Sequence, residues 1–345
     1  ILKNEFNYDL NLKKNLAVAM VFTTKYEMKW LTEQFNFYLN ELGLDLIAIR
    51  EVPTDKKYLG EIALKRKPHI VQYFIGYKKN KDYEYETQLY LLRKKIESDI
   101  IRRKKKSYIC SLSSKIIVYK GLLSAMQIDE FYKDLQHIDF EVKMAIFHER
   151  FSTNTGSTWA MAQPFNMIAH NGEFNTIKGN RLWMKARENQ ISSEFWGKNI
   201  DCLKPVISQD GSDSSSFDNL VEFLVRSGQS IYDSLMMLIP DSYHSNLQIS
   251  SSLRDYFIYN ENFMEPWDGP AAIVFTDGDK VGAKMDRNGL RTLRYSITKD
   301  GLVVMASESG VLDIDDKNVV IHHHMKSEEI FGLDINSGEI IKNDE

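Results

Sequence analysis

Cysteine is scarce in this chain: Cys110 and Cys202 are the two in 345 residues, and they lie far apart in sequence. Two distant thiols make no disulfide framework, and a reducing cytoplasm is the compartment they imply. Long apolar runs are missing as well. Nothing approaches the ~20 residues of a membrane span, and no signal peptide opens the chain, which speaks against a membrane protein. There is no surplus of positive charge. The formal net charge is -4, so composition points away from a nucleic-acid partner. Internal repeats and low-complexity linkers are absent. What remains, 43% hydrophobic and 27% charged, is the balance of a soluble globular protein long enough for one large domain or two ordinary ones.

One stretch stands out, residues 148–188. It opens His148-Glu149-Arg150-Phe151-Ser152-Thr153-Asn154-Thr155, passes Trp159, and continues Ala169-His170-Asn171-Gly172-Glu173-Phe174-Asn175-Thr176 before a helix-like end. Apolar strands enter it and break into small polar residues, the pattern of a polar loop held by a rigid scaffold. Arg150 offers a planar fork for a carboxylate. Ser152 and Thr153 add hydroxyls. Asn171-Gly172 can aim a side-chain amide and a closely approaching backbone N–H at one developing oxyanion. Further on, Asp210-Gly211-Ser212-Asp213-Ser214 supplies acids suited to an ammonium group. Together these describe a site for an amino acid whose side-chain carbonyl is attacked. Taken singly, each piece has a plainer alternative: Arg150 in a surface ion pair, Asn-Gly as a type I′ turn, Asp213 as a helix cap.

Several segments in one order resemble a known family. They are residues 107–113, Val118-Tyr119-Lys120-Gly121, 150–155, 170–176, 211–219, Glu265-Pro266-Trp267-Asp268-Gly269-Pro270 and Asp286-Arg287-Asn288-Gly289-Leu290-Arg291. They are similar to the glutaminase domain of glutamate synthase large subunits, class II glutamine amidotransferases of the N-terminal-nucleophile hydrolase fold. The resemblance runs from about residue 16 to about residue 341. It implies an α+β fold, a four-layer αββα sandwich of two antiparallel sheets between helices, here lacking its first strands. It implies a single amidotransferase domain over residues 1–345, N-terminally incomplete and without the synthase domain. Its site residues map here onto Asn171 and Gly172 as the oxyanion hole, Arg150 with Thr153 at the α-carboxylate of L-glutamine, and Asp213 at the α-ammonium. His170 and Trp183 fall around the site, with packing roles. Asn166, Phe174 and Leu182 depart from the family pattern at flanking positions and bear on fine positioning.

The family's nucleophile is a cysteine that opens the mature chain, with its own α-amine available as base. Ile1 stands first here, so the resemblance implies a chain that begins partway into the domain. FMN and an iron–sulfur cluster are expected in the absent synthase domain. The expected partners are L-glutamine, the rest of a large subunit, and an electron-donating small subunit or ferredoxin. Two functional classes stay open: the glutaminase portion of an enzyme making glutamate, or a nucleophile-less module that binds glutamine or glutamate or holds a partner subunit. Cys110, inside an apolar strand, reads as a buried small hydrophobe, with Lys106 and Lys115 about 10 Å or more away along an extended strand. His322-His323-His324 would alternate faces on a strand and cannot easily hold one metal ion.

Periodicity places strands at 16–22, 44–49, 69–77, 108–112, 116–119 and 140–147, the fourth and fifth as a hairpin. Helices are expected at 28–42 (Leu31, Phe35, Tyr38 and Leu42 inward), 85–103 (exposed, with a basic end), 128–135, 180–190, 217–225 and 231–239. Strands then recur to the end, with hairpins at Asp277-Gly278-Asp279 and Lys299-Asp300-Gly301.

Overall fold

The computed structural model describes residues 1, 5–6, 16–77, 83–151, 156–208, 210–244 and 249–343. The run of charged residues at 78–82 therefore lies outside the described residues, as do Ser152 and Thr153. The chain divides into two compact units. The first comprises residues 1–142, 149–166 and 192–204, the second 143–148, 167–191 and 205–345. The fold is α+β, and every strand ladder among the described residues is antiparallel. Two principal sheets, of four and five strands, are accompanied by a third of three strands.

The first unit is built on a sheet in the order β2-β3-β1-β4, where β1 is Leu16–Thr23, β2 Leu44–Glu51, β3 His69–Tyr77 and β4 Tyr108–Ser113. β1 and β3 are buried for most of their length, which is why they read as continuous apolar runs rather than alternating ones. Helix α1 (Met28–Leu42) turns Leu31, Phe35, Leu39 and Leu42 inward. Tyr38, expected among them, instead donates its hydroxyl to Asp99 at 2.9 Å. The short helix α2 spans Glu61–Lys65. Helix α3 (Tyr85–Arg102) was expected to be exposed and is not: Leu89, Leu91, Leu92 and Ile96 are fully buried. It packs against β4, α1 and the 3₁₀ segment Gly197–Leu203, so two of its faces find cover. The core gathers Met20, Phe22, Ile70, Cys110, Phe131 and Trp159.

Two expected strands do not form. Residues 116–119 run without a ladder because side chains take their backbone donors. Ser113 Oγ accepts from the N–H of Lys115 (3.0 Å) and Ile116 (3.1 Å), and Ser111 Oγ from that of Val118 (3.1 Å). Residues 140–147 are irregular, and Val142 and Phe147 are exposed rather than packed. The helix expected at 128–135 shortens to α4 (Ile128–Phe131) followed by a 3₁₀ turn, Lys133–Gln136.

In the second unit the five-stranded sheet runs β12-β11-β7-β6-β5, with β5 (Ile168–Gly172) at its edge, β6 at Ala271–Thr276, β7 at Lys280–Met285, β11 at Ile330–Asp334 and β12 at Ile340–Lys342. The β6–β7 hairpin turns at Asp277–Asp279 as its sequence required, with Gly278 at φ +100°. The three-stranded sheet is β10-β8-β9, with β8 at Arg294–Thr298, β9 at Val303–Ala306 and β10 at Val319–His324. Alternation along β6 sets its two faces. Ala272 and Val274 join Met285, Tyr295 and Phe331 in a core between the sheets. Phe275 faces Tyr232 of helix α7 (Ile231–Leu238), ring centres 5.8 Å apart. Helix α6 (Asp213–Arg226) packs on α7 and on β5. Helices α5 (Ile177–Glu188) and α8 (Ser251–Glu261) complete the unit. Lys284 is fully buried, its ammonium 2.7 Å from Asp241 and 2.7 Å from the Glu328 carbonyl. Burial pushes the Lys284 ammonium below and the Asp241 carboxyl above their ordinary values, in each case against the pull of the partner. Among the described residues no helix is long and apolar enough to cross a membrane.

Candidate active site at the end of strand β5

Strand β5 is held at its start by an acid inside α6. Asp218 Oδ1 accepts the N–H groups of Met167 (2.8 Å) and Ile168 (3.1 Å). The strand pairs with β6 down to Gly172 opposite Ala271, placing Asn171 and Gly172 at its last two positions, both half-buried. No tight hairpin follows. Gly172 has φ +148°, a backbone state side chains rarely adopt, and a Cβ there would sit 1.8 Å from the Pro270 carbonyl oxygen. Gly269 mirrors it: φ +145°, with a Cβ placed 2.0 Å from the Glu173 carbonyl oxygen. Two backbones thus cross at a distance only glycine permits. The Glu173 N–H donates to the Pro270 carbonyl at 3.0 Å across that crossing.

Asp213 begins α6 but is not its cap. Ser212 is, accepting the Ser215 N–H at 3.1 Å. The Asp213 carboxylate accepts the Phe174 N–H at 3.0 Å and the Ser214 hydroxyl at 3.4 Å. Its charge stands in the first turn, where the helix dipole favours it. Asp213 is therefore tied to the turn that follows Asn171-Gly172. The loop before it is clamped by Arg181 of α5, which donates to the Gly211 carbonyl (2.5 Å), the Ser212 carbonyl (3.2 Å) and the Ser216 hydroxyl (2.8 Å).

His170 precedes the pair and is 2% exposed. Its Nδ1 lies 2.8 Å from the Ser214 hydroxyl, and its ring stacks on Phe174 with centres 4.6 Å apart. Burial lowers its pKa to about 4, against the pull of Asp213, so the imidazole is neutral at neutral pH. Phe174 in turn stacks on Phe217 (4.7 Å) and meets Trp267 edge-on (5.3 Å). The aromatic at 174 thus joins His170, Phe217 and Trp267 in one cluster of rings next to the end of β5. Trp183, expected to pack beside the site, is 59% exposed, and Leu182 is exposed too.

The other residues expected at the site, Arg150 and Thr153, belong to the first unit. Arg150 is exposed on an irregular segment, not at the end of a strand, and Thr153 lies outside the described residues. Cys110 is buried, and burial pushes its thiol up to about 12, although Lys120 pulls the other way. Lys120, not Lys106 or Lys115, is the lysine whose charge reaches this thiol, and burial outweighs it in favour of the protonated form. Cys202 Sγ lies 3.6 Å from Lys95 Nζ. In the histidine run, His322 Nδ1 meets the Ser296 hydroxyl at 2.8 Å, and His323 pairs with Glu329 at 2.7 Å. A cavity of about 250 Å³ in the second unit, lined among others by Tyr243, Phe257, Trp267 and Arg287, includes neither Asn171, Gly172 nor Asp213. Asp218 and Arg181 were missed by sequence reading, and the available signal was slight: an acid among the apolar positions of one helix, a cation facing inward on another.

Comparison with known proteins returns the family model described as glutamine amidotransferases class-II, matching residues 2–345. The NADPH glutamate synthase large chain of Bacillus subtilis is 40% identical across 98% of this chain, which covers 23% of that protein. The ferredoxin-dependent glutamate synthase of Antithamnion sp. is 39% identical across 95% of this chain and 22% of its own length. The NADH glutamate synthase of Saccharomyces cerevisiae is 39% identical across 99% of this chain and 16% of its own. The chain thus spans less than a quarter of these curated relatives.

Proposed function

The chain belongs to the class-II glutamine amidotransferases, and from that premise we propose that it is the glutaminase portion of a glutamate synthase, hydrolysing L-glutamine to glutamate and ammonia for transfer to 2-oxoglutarate. The observation that carries the proposal is the match of nearly all its residues to synthases whose names specify three different electron donors, NADPH, NADH and ferredoxin. What such proteins share over this stretch is the glutamine-handling part, whatever reduces the rest.

In the proposed mechanism Asp213 receives the α-ammonium of glutamine, and Arg150 with Thr153 receives its α-carboxylate. The Asn171 amide and the Gly172 N–H hold the oxyanion that forms when a thiolate attacks the side-chain amide. Neutral His170 keeps Ser214, and with it the start of α6, in place. The attacking thiolate is assigned to an N-terminal cysteine of the family's kind. FMN and an iron–sulfur cluster are assigned to the synthase portion, together with a small subunit or ferredoxin as electron donor. The two free thiols fit a reducing, cytoplasmic setting. The test is glutamine-dependent ammonia release by the full-length protein with its native N-terminus. Release that Asp213→Ala weakens supports the reading. Glutamine binding without any release favours a binding module instead.

A further inference from the structure

Gly172 owes its place to the strap 265–270, and the strap is itself held from outside the site. Thr176 ties one side of it: the Thr176 N–H donates to the Asp268 carbonyl (3.3 Å), and the Thr176 hydroxyl accepts from the Asp268 N–H (2.9 Å). The Asp268 side chain ties the other. Its Oδ1 accepts the Gly269 N–H (3.0 Å), Arg287 Nε (3.2 Å) and Asn288 Nδ2 (3.4 Å), and its Oδ2 accepts Arg287 Nη2. The residues that grip Asp268 sit on a turn of their own, closed by the Asn288 N–H on Asp286 Oδ2 at 2.7 Å, and the Asp286 N–H reaches back to the Ala271 carbonyl at 3.1 Å. One carboxylate therefore joins three things: the turn 286–288, the N–H of Gly269, and the strap whose Pro270 carbonyl stands against Gly172.

We infer that Asp268 is a positioning residue for glutamine hydrolysis, its carboxylate, forked by Arg287, fixing the strap that sets the height of Gly172 and so of the oxyanion donors. Asp268 touches no substrate in this role; it acts through Gly269, Pro270 and Gly172. A fork between Arg and carboxylate suits the task because two parallel bonds fix orientation as well as distance. The Arg287 guanidinium also holds the Asp268 carboxyl below its ordinary range, although burial pushes the other way, so the clip is closed at neutral pH. The inference rests on the glutaminase reading above.

The experiment uses full-length protein carrying Asp268→Asn, Asp268→Ala, Arg287→Ala or the double change Asp268→Ala/Arg287→Ala, with kcat and KM for glutamine hydrolysis measured separately and melting recorded alongside. A donor displaced by ~1 Å costs about a hundredfold in rate, so Asp268→Ala is expected to lower kcat about tenfold to a hundredfold while KM holds. Asp268→Asn keeps an acceptor for Gly269 and loses the charge, so it should fall between; it carries the test if the alanine variant does not fold. The double variant should be no slower than Asp268→Ala, because both changes open the same clip. Glu61→Ala, which removes a surface pair with Lys65, should leave kcat unchanged. Unchanged kcat in the Asp268 variants of an active wild type overturns the inference alone, as does a loss of rate that vanishes once the variants are assayed well below their melting temperature. A wild type that hydrolyses no glutamine takes the glutaminase reading down as well.

Discussion

Replacing Gly172 by alanine probes the crossing on which the site depends. Two costs add. A backbone held at φ +148° costs a residue with a side chain ~1–3 kcal/mol. The new methyl carbon would also stand 1.8 Å from the Pro270 oxygen and 3.0 Å from Ala271 Cα. Ordinary contact begins near ~3.5 Å, so the two backbones must part by more than ~1 Å. The β5–β6 ladder resists at one end and the Asp213 bond to Phe174 at the other, so the displacement falls on the Asn171-Gly172 donors themselves. A shift of that size costs about a hundredfold in rate. Full-length Gly172→Ala should therefore lose about two orders of magnitude in kcat for glutamine hydrolysis, with a lowered melting temperature. The comparison is Gly179→Ala. Gly179 lies inside α5 with nothing within 4 Å of its would-be Cβ, and alanine there should stabilise by ~0.5–1 kcal/mol and leave kcat alone. Steady-state kinetics and thermal melts on both variants decide. If Gly172→Ala melts and turns over like Gly179→Ala, the close approach has no part in function.

Further outcomes follow from the same geometry. Asp213→Ala removes a charged hydrogen-bond partner worth ~1.5–3 kcal/mol, so KM for glutamine should rise on the order of tenfold to a hundredfold while kcat changes less. His170 has a folded pKa of about 4 against an ordinary value near 6.5. Its folded value is depressed, so the stability tied to its neutral form is complete above pH ~6.5 and is lost as pH falls toward ~4, a loss on the order of a few kcal/mol. Urea unfolding at pH 7 and pH 5 should show a smaller acid loss in His170→Asn than in wild type, and equal losses would refute that source. Asp241→Ala strands the Lys284 ammonium in the core and should cost ~3–5 kcal/mol, read from denaturant midpoints. Asp241→Leu with Lys284→Met should recover most of it.

Much of the fold was legible because its elements are locally consistent. Strand β3 and helix α1 begin and end where their periods predict, and the Asp-Gly-Asp hairpin turns where it must. The misread segments share a physical cause. Residues 116–119 have a strand's composition, but Ser111 and Ser113 take the N–H groups a ladder would need, and no local pattern announces that. Helix α3 looked exposed because its charges dominate its sequence, yet Arg93, Lys95 and Asp99 are buried along with its leucines. The site divides in the same way. Asn171, Gly172 and Asp213 were readable as polar residues where an apolar strand or helix begins or ends. Arg181, Asp218 and the Asp268–Arg287 clip act on partners 35, 51 and 19 residues distant, and only the folded chain brings those partners together.

The central claim is that the end of β5 stabilises charge that develops on the glutamine side-chain amide. Its most direct test is Asn171→Ala in the full-length protein with its native N-terminus, followed as glutamate and ammonia released from L-glutamine, with kcat and KM resolved. A donor that acts on the developing oxyanion is worth about 10²–10³ in kcat, so the rate should fall by that factor while KM stays close to that of the wild type. Glutamine turned over at the wild-type rate by the Asn171→Ala protein, or a loss appearing in KM alone, would contradict the account.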